Sequence, residues 1–180
     1  GGVVGMTLPM ARELARSGRQ VCVHFVGDAT RLPPDAAVAY QSCRTTGADF
    51  CTEIPAGDFS LVVDALFGIG LARPITGDLA DLIARINAFA GPVLALDIPS
   101  GLDGDSGRVL GTAVRATYTL SFIGGKPGLH TLDGPDHCGE IHVDELGLLL
   151  AGLPGALLST ADFRAGLRPR PRNCHKGSHG

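Results

Sequence analysis

Apolar residues along the chain alternate between short continuous runs and stretches of helical period. Leu8, Ala11, Leu14 and Ala15 recur on one face of the segment from Leu8 to Ser17, and Gly18 follows as a stop signal, so this segment reads as a helix. Val21-Cys22-Val23-His24-Phe25-Val26, ended by Gly27-Asp28, reads as a buried strand. Pro33-Pro34-Asp35 opens a second helix that runs through Tyr40 to about Thr45 and closes at Gly47. Phe59 to Leu66 is a strand leading into a turn at Gly68 and Gly70. Gly77 to Phe89 is an amphipathic helix with Leu79, Leu82, Ile83 and Ile86 inward. Three further strands are expected over Pro92 to Asp97, Ala116 to Phe122 and Glu140 to Val143.

Nearly continuous apolar strands separated by helices predict an α/β fold with a mostly parallel sheet covered on both faces. Ligands in such sheets sit beyond the carboxyl ends of the strands. Asp64 and Asp97 each occupy such an end. Asp64 stands before Ala-Leu-Phe-Gly-Ile-Gly and Asp97 before Ile-Pro-Ser-Gly, turns whose amides can approach an anion closely. A carboxylate there can bind a cation, hold a ribose, perform acid–base work, or simply cap the next helix.

Composition narrows this only at the edges. The 180 residues are 44% hydrophobic with a net charge of −3, enough for a core and no sign of a nucleic-acid partner. Basic residues cluster at the end, but Pro169 and Pro171 interrupt them and mark a linker. The five cysteines show no C-x-x-C spacing and read as reduced thiols of a cytoplasmic protein. No apolar run approaches the roughly 20 residues of a membrane span. His175 and His179 lie four apart without a third ligand, so a metal there is not expected.

Three blocks carry a family resemblance: Val63 to Leu71, Leu96 to Asp103, and Phe122 to Leu129. Together with Cys138-Gly139-Glu140-Ile141 and Leu146-Gly147-Leu148, they resemble the YjeF N-terminal family in order and spacing, from about Ala11 to Leu148. The resemblance implies a Rossmann-like three-layer α/β/α sandwich, here truncated at its N-terminus. It implies epimerisation of NADHX and NADPHX, nicotinamide cofactors damaged by addition of water across a ring double bond. It also implies a bound potassium ion, with Asp64 and Ser100 as ligands. Gly68, Ile69, Gly70, Leu71, Ala72, Arg73 and Pro74 would lie along the substrate's phosphates or ribose. Asp97 would bind substrate and act in catalysis. Lys126 would add charge for the diphosphate or assist catalysis.

A second resemblance begins at Leu167. Leu167 to Arg172, followed by His175-Lys176-Gly177-Ser178-His179-Gly180, is similar to the entry of an ADP- or ATP-dependent NAD(P)HX dehydratase domain. The implied organisation is an epimerase domain over 1–152, incomplete at its start, a connecting helix over 153–167, and a linker with the first dehydratase residues over 168–180. Partners would then be the small-molecule substrate and a fused dehydratase, with neither nucleic acid nor membrane, and a homo-oligomer left open.

One stretch departs from the family's pattern. Where the family has Asn-Asn-Gly-Gly-Asp-Gly between its first strand and first helix, this chain has Gly2-Val3-Val4-Gly5-Met6-Thr7. Both asparagines and the aspartate are absent, while Gly2 and Gly5 still suggest a backbone nest that touches substrate. The alternative reading is therefore a decayed module that binds nucleotide or supports the dehydratase half.

Overall fold

The computed structural model describes residues 3–55, 59–148 and 157. The chain divides into two compact units, Gly1–Leu148 and Leu149–Gly180. The boundary expected at 152, the helix over 153–167, the linker with its His175/His179 pair, and Gly2 lie outside the described residues.

In the first unit, α1 (Val3–Arg16) leads to β1 (Cys22–His24), α2 (Pro34–Arg44) and β2 (Asp49–Cys51). β1 and β2 form a parallel pair. Leu8, Ala11, Cys43 and Ala48 are buried between them and the two helices, with Tyr40 and Phe50 packed alongside. β3 (Val62–Asp64), α3 (Asp78–Asn87), β4 (Val93–Leu96), β5 (Tyr118–Phe122), α4 (Gly134–Cys138) and β6 (Glu140–Asp144) follow. The last four strands form one parallel sheet in the order β3-β4-β5-β6. α3 lays Leu82, Ile83 and Ile86 against Val93 and Val114, the stripe its 3.6-residue period predicts. A third apolar cluster, Ile98, Leu102, Leu129 and Cys138, packs the loops after β4 and β5 onto α4. This is the α/β, mostly parallel architecture the strand pattern requires. Among the described residues no helix is long and apolar enough to cross a membrane.

Three expectations are corrected. The first helix starts at Val3, five residues before Leu8, and runs through Pro9. The apolar face that marks the helix begins at Leu8; Pro9 has no N–H, so the helix forgoes one backbone bond there and continues. Val3 to Thr7 is therefore helix, not loop. β2 and α4 were not anticipated, because three and five residues are too few to show a period. Cys22 and Cys51, on paired strands, are joined in a disulfide, whereas Cys43 and Cys138 are free and buried. The expectation of five reduced thiols fails for that pair, since parallel pairing brings together two cysteines that lie 29 residues apart in sequence.

Candidate functional site

A pocket of about 750 Å³ opens where the carboxyl ends of β3, β4 and β5 converge, the place this sheet type reserves for ligands. Its walls are Leu66 to Leu71 after β3, Phe122 to Pro127 after β5, Leu146 after β6, and Val4 and Met6 from the first turns of α1. Nearly all of these surfaces are apolar. Asp97 and Lys126 are the charged residues that line it.

Asp97 follows β4 directly and takes a left-handed backbone conformation, φ 72°, with its N–H bonded to the Leu120 carbonyl at 2.7 Å. A non-glycine residue held there costs energy that the surroundings must supply, and such residues cluster at functional sites. Its carboxylate pairs with the Lys126 ammonium. The two side chains are only 13% and 15% exposed, so water screens the pair little. Lys126 also donates to Ser121 Oγ at 2.9 Å and to the Phe122 carbonyl at 2.8 Å. Ile123, at φ 69°, is a second left-handed residue on the same rim.

Asp64 is arranged differently. It ends β3 at 1% exposure and lies behind the pocket wall. Oδ1 accepts from the Ser100 hydroxyl at 2.6 Å and from the Leu66 amide at 3.3 Å, and Oδ2 accepts from the Ser100 amide at 2.8 Å. Ser100 Oγ in turn accepts from the Phe67 amide at 2.9 Å and lies 3.3 Å from the Phe67 carbonyl. Burial pushes the Asp64 carboxyl above the usual carboxylate range, and the bonds from Ser100 and Leu66 offset this in part. No cationic side chain faces it among the described residues. Gly101 follows with φ 97°, and a Cβ there would stand 1.9 Å from the Thr112 carbonyl oxygen, so only glycine lets the loop close behind Ser100.

The two strand-tip aspartates thus form no dyad. Asp97 faces the pocket with a lysine, and Asp64 ties the turn after β3 to the turn after β4. Of the expected turn, Gly68, Ile69, Gly70 and Leu71 line the pocket, while Ala72, Arg73 and Pro74 are exposed beyond it. Gly5 is helical and the Cβ it lacks would sit 4.0 Å from Asp35 Oδ2, so it looks toward α2 and the pocket wall comes from Val4 and Met6. Ser121, Phe67 and Leu146 were not anticipated. An apolar strand containing one serine gives no signal of where that hydroxyl points.

The sequence profile described as YjeF-related protein N-terminus matches residues 3–128. An NAD(P)H-hydrate epimerase of Achromobacter xylosoxidans is 43% identical over 148 residues, covering 81% of this chain and 71% of that protein. A bifunctional NAD(P)H-hydrate repair enzyme Nnr of Coxiella burnetii is 38% identical over 98% of this chain, which spans 38% of that enzyme. The crystal structure of yeast ynu0 superposes with a TM-score of 0.67 at 16% identity, covering 85% of this chain and 68% of that one. That likeness concerns the fold alone.

Proposed function

The chain belongs to the family of YjeF-related protein N-termini, and from that membership we propose how its pocket performs NAD(P)H-hydrate epimerisation. The activity is an isomerase step in cofactor repair, interconverting the R and S forms of NADHX and NADPHX; supporting it, relatives of this chain bear the names NAD(P)H-hydrate epimerase and bifunctional NAD(P)H-hydrate repair enzyme. The observation that carries the assignment to this pocket is one carboxylate, Asp97, placed in an otherwise apolar recess with its own cation.

Inverting the hydrated ring carbon requires breaking and remaking its bond to hydroxyl, or opening and reclosing the ring. Both routes move a proton at that oxygen, and hydroxyl departure leaves positive charge shared with the ring nitrogen. Asp97 is the group that shuttles the proton and faces that charge. Val4, Leu66, Phe67, Phe122 and Ile123 hold the ring and exclude bulk water, which strengthens the carboxylate's field. Gly68 to Leu71 run along the phosphate and ribose end of the substrate, where backbone amides and the lack of side chains at Gly68 and Gly70 allow close approach.

A potassium ion fits what surrounds Asp64: a buried carboxylate without a cationic partner among the described residues, beside the Ser100 hydroxyl and the Phe67 carbonyl. Uncompensated buried charge is costly, and a weakly hydrated cation bound by these oxygens would relieve it. Bound there, it would neutralise Asp64 and fix the turns that form the pocket wall. The fused dehydratase partner is part of the same proposal, supported by the bifunctional relatives.

The assay is direct. Purified S-NADHX and R-NADHX are supplied separately, and each should convert to the mixture faster than it does spontaneously. Conversion at the spontaneous rate for both forms would leave a non-catalytic binding module in place of the enzyme.

A further inference from the structure

We propose that Ser121 is a positioning residue of this site, and that the ammonium it holds serves Asp97 and not the substrate's diphosphate. The proposal rests on the epimerase reading for its kinetic consequence and on geometry alone for the cradle. A lysine ammonium has three N–H donors and no acceptor. All three are placed: on the Asp97 carboxylate, on Ser121 Oγ at 2.9 Å and on the Phe122 carbonyl at 2.8 Å. No donor remains for a phosphate oxygen. The ammonium is also drawn below the rim, at 15% side-chain exposure, whereas a group that binds a diphosphate must present itself to it.

Ser121 decides this arrangement because its own proton is committed. Its hydroxyl donates to the Gly124 carbonyl at 3.1 Å, so a lone pair faces Lys126. The side chain is wholly buried and shares its face of β5 with Thr119, whose hydroxyl is likewise satisfied, by the Cys138 carbonyl at 2.7 Å. The bond to Gly124 closes the turn in which Ile123 is held left-handed. One hydroxyl therefore shapes the rim and sets the height of the cation that orients Asp97. Without it, the Gly124 carbonyl loses a donor and one ammonium proton loses its acceptor. The long lysine side chain then gains by turning to solvent.

Ser121→Ala tests both halves. The protein is treated with a small amine-acetylating reagent, and peptide mass spectrometry follows Lys126, with the same lysine in urea-unfolded protein as the reference for full reactivity. Wild-type Lys126 should react at least about tenfold more slowly in the folded protein than in the unfolded one, since acetylation requires a free amine that three bonds withhold. In Ser121→Ala the ratio should fall to within about threefold. Unchanged protection of Lys126 in the variant would overturn the cradle. In the epimerisation assay the variant should lose about ten- to a hundredfold in kcat with KM within about threefold, the pattern of a transition-state effect. A raised KM at unchanged kcat would overturn the assignment to Asp97 and return Lys126 to substrate binding. Ser121→Thr, which restores the hydroxyl, should recover Lys126 protection if its melting temperature matches the wild type. If wild type itself fails to epimerise, the function falls while the labelling ratio still judges the cradle.

Discussion

Ser100 reaches back 36 residues to Asp64 with both of its hydrogen-bond donors, the amide at 2.8 Å and the hydroxyl at 2.6 Å. Its oxygen meanwhile accepts the Phe67 amide at 2.9 Å. The turn after β3, which walls the pocket, and the turn after β4, which carries Asp97 into it, are thereby locked through a single side chain. Ser100→Ala keeps the backbone donor but leaves a buried carboxylate short of one bond and the Phe67 amide short of its acceptor. The expected cost is on the order of 2–4 kcal/mol, read as a fall in melting temperature of roughly 5–15 °C. Combined with Asp64→Asn the losses should be less than additive, because both variants remove the same contact. Strict additivity would mean the two residues are not coupled.

The second prediction follows from the carboxyl of Asp64, which burial pushes up against the opposing effect of Ser100 and Leu66. The folded state then holds a proton more tightly than the unfolded chain does, so stability from this group is present below the ordinary aspartate value of about 3.9. It is lost as pH rises through the raised value. A cation that binds the ionised form restores it on the alkaline side of that window. Replacing tetramethylammonium by potassium should therefore raise the melting temperature at neutral pH, with the gain fading as Asp64 protonates. At tenfold excess over the dissociation constant the gain amounts to about 1.4 kcal/mol. Asp64→Asn should abolish it. A melting temperature indifferent to the cation at neutral pH would refute the ion site.

The third prediction isolates the charge of Asp97. Asparagine tolerates the left-handed conformation better than other non-glycine residues, and its carbonyl can still accept from Lys126. Asp97→Asn should still fold, with a lower melting temperature because the largely buried Lys126 ammonium loses its counter-charge, while kcat falls by roughly two to four orders of magnitude. Asp97→Ala should lose activity equally and add a backbone cost of about 1 kcal/mol or more at φ 72°. An active Asp97→Asn enzyme would remove the carboxylate from the mechanism.

These residues differ in how far the sequence alone exposed them. β3, β4 and β5 are legible because buried parallel strands are nearly continuous apolar runs, and that places Asp64 and Asp97 at strand ends without any structure. Their separate fates are not legible, since the sealing of Asp64 behind the wall and the placing of Asp97 on the pocket depend on how two turns fold over the sheet. The resemblance pointed to Ser100 beside Asp64, and the contact is a direct one. Ser121 escaped because its function is a matter of lone-pair direction. The first turns of α1 escaped because the resemblance matches Gly2 to Thr7 to the family's loop between its first strand and first helix, so Val4 and Met6 read as loop when they are pocket wall.

The last prediction sets two glycines against each other. Gly107 has φ 74°, and a Cβ there would stand 2.0 Å from the Thr131 carbonyl oxygen. It sits where the loop after β4 packs on the segment after Lys126, accepting from the Asp133 amide at 3.1 Å. Gly107→Ala must strain the backbone and push two loops apart, so it should cost about 2–3 kcal/mol or more. Gly70 lines the pocket, and a Cβ there meets nothing within 4 Å. Gly70→Ala should leave the urea midpoint within the equivalent of about 0.5 kcal/mol and act on the substrate alone. A methyl group added where phosphate or ribose approaches the backbone should raise KM severalfold while kcat holds, the signature of lost uniform binding. If Gly70→Ala leaves KM unchanged, the substrate does not run along this turn, and its phosphates must be sought on another side of the pocket. If it unfolds the protein, the turn is packed more tightly than the open space around Gly70 allows.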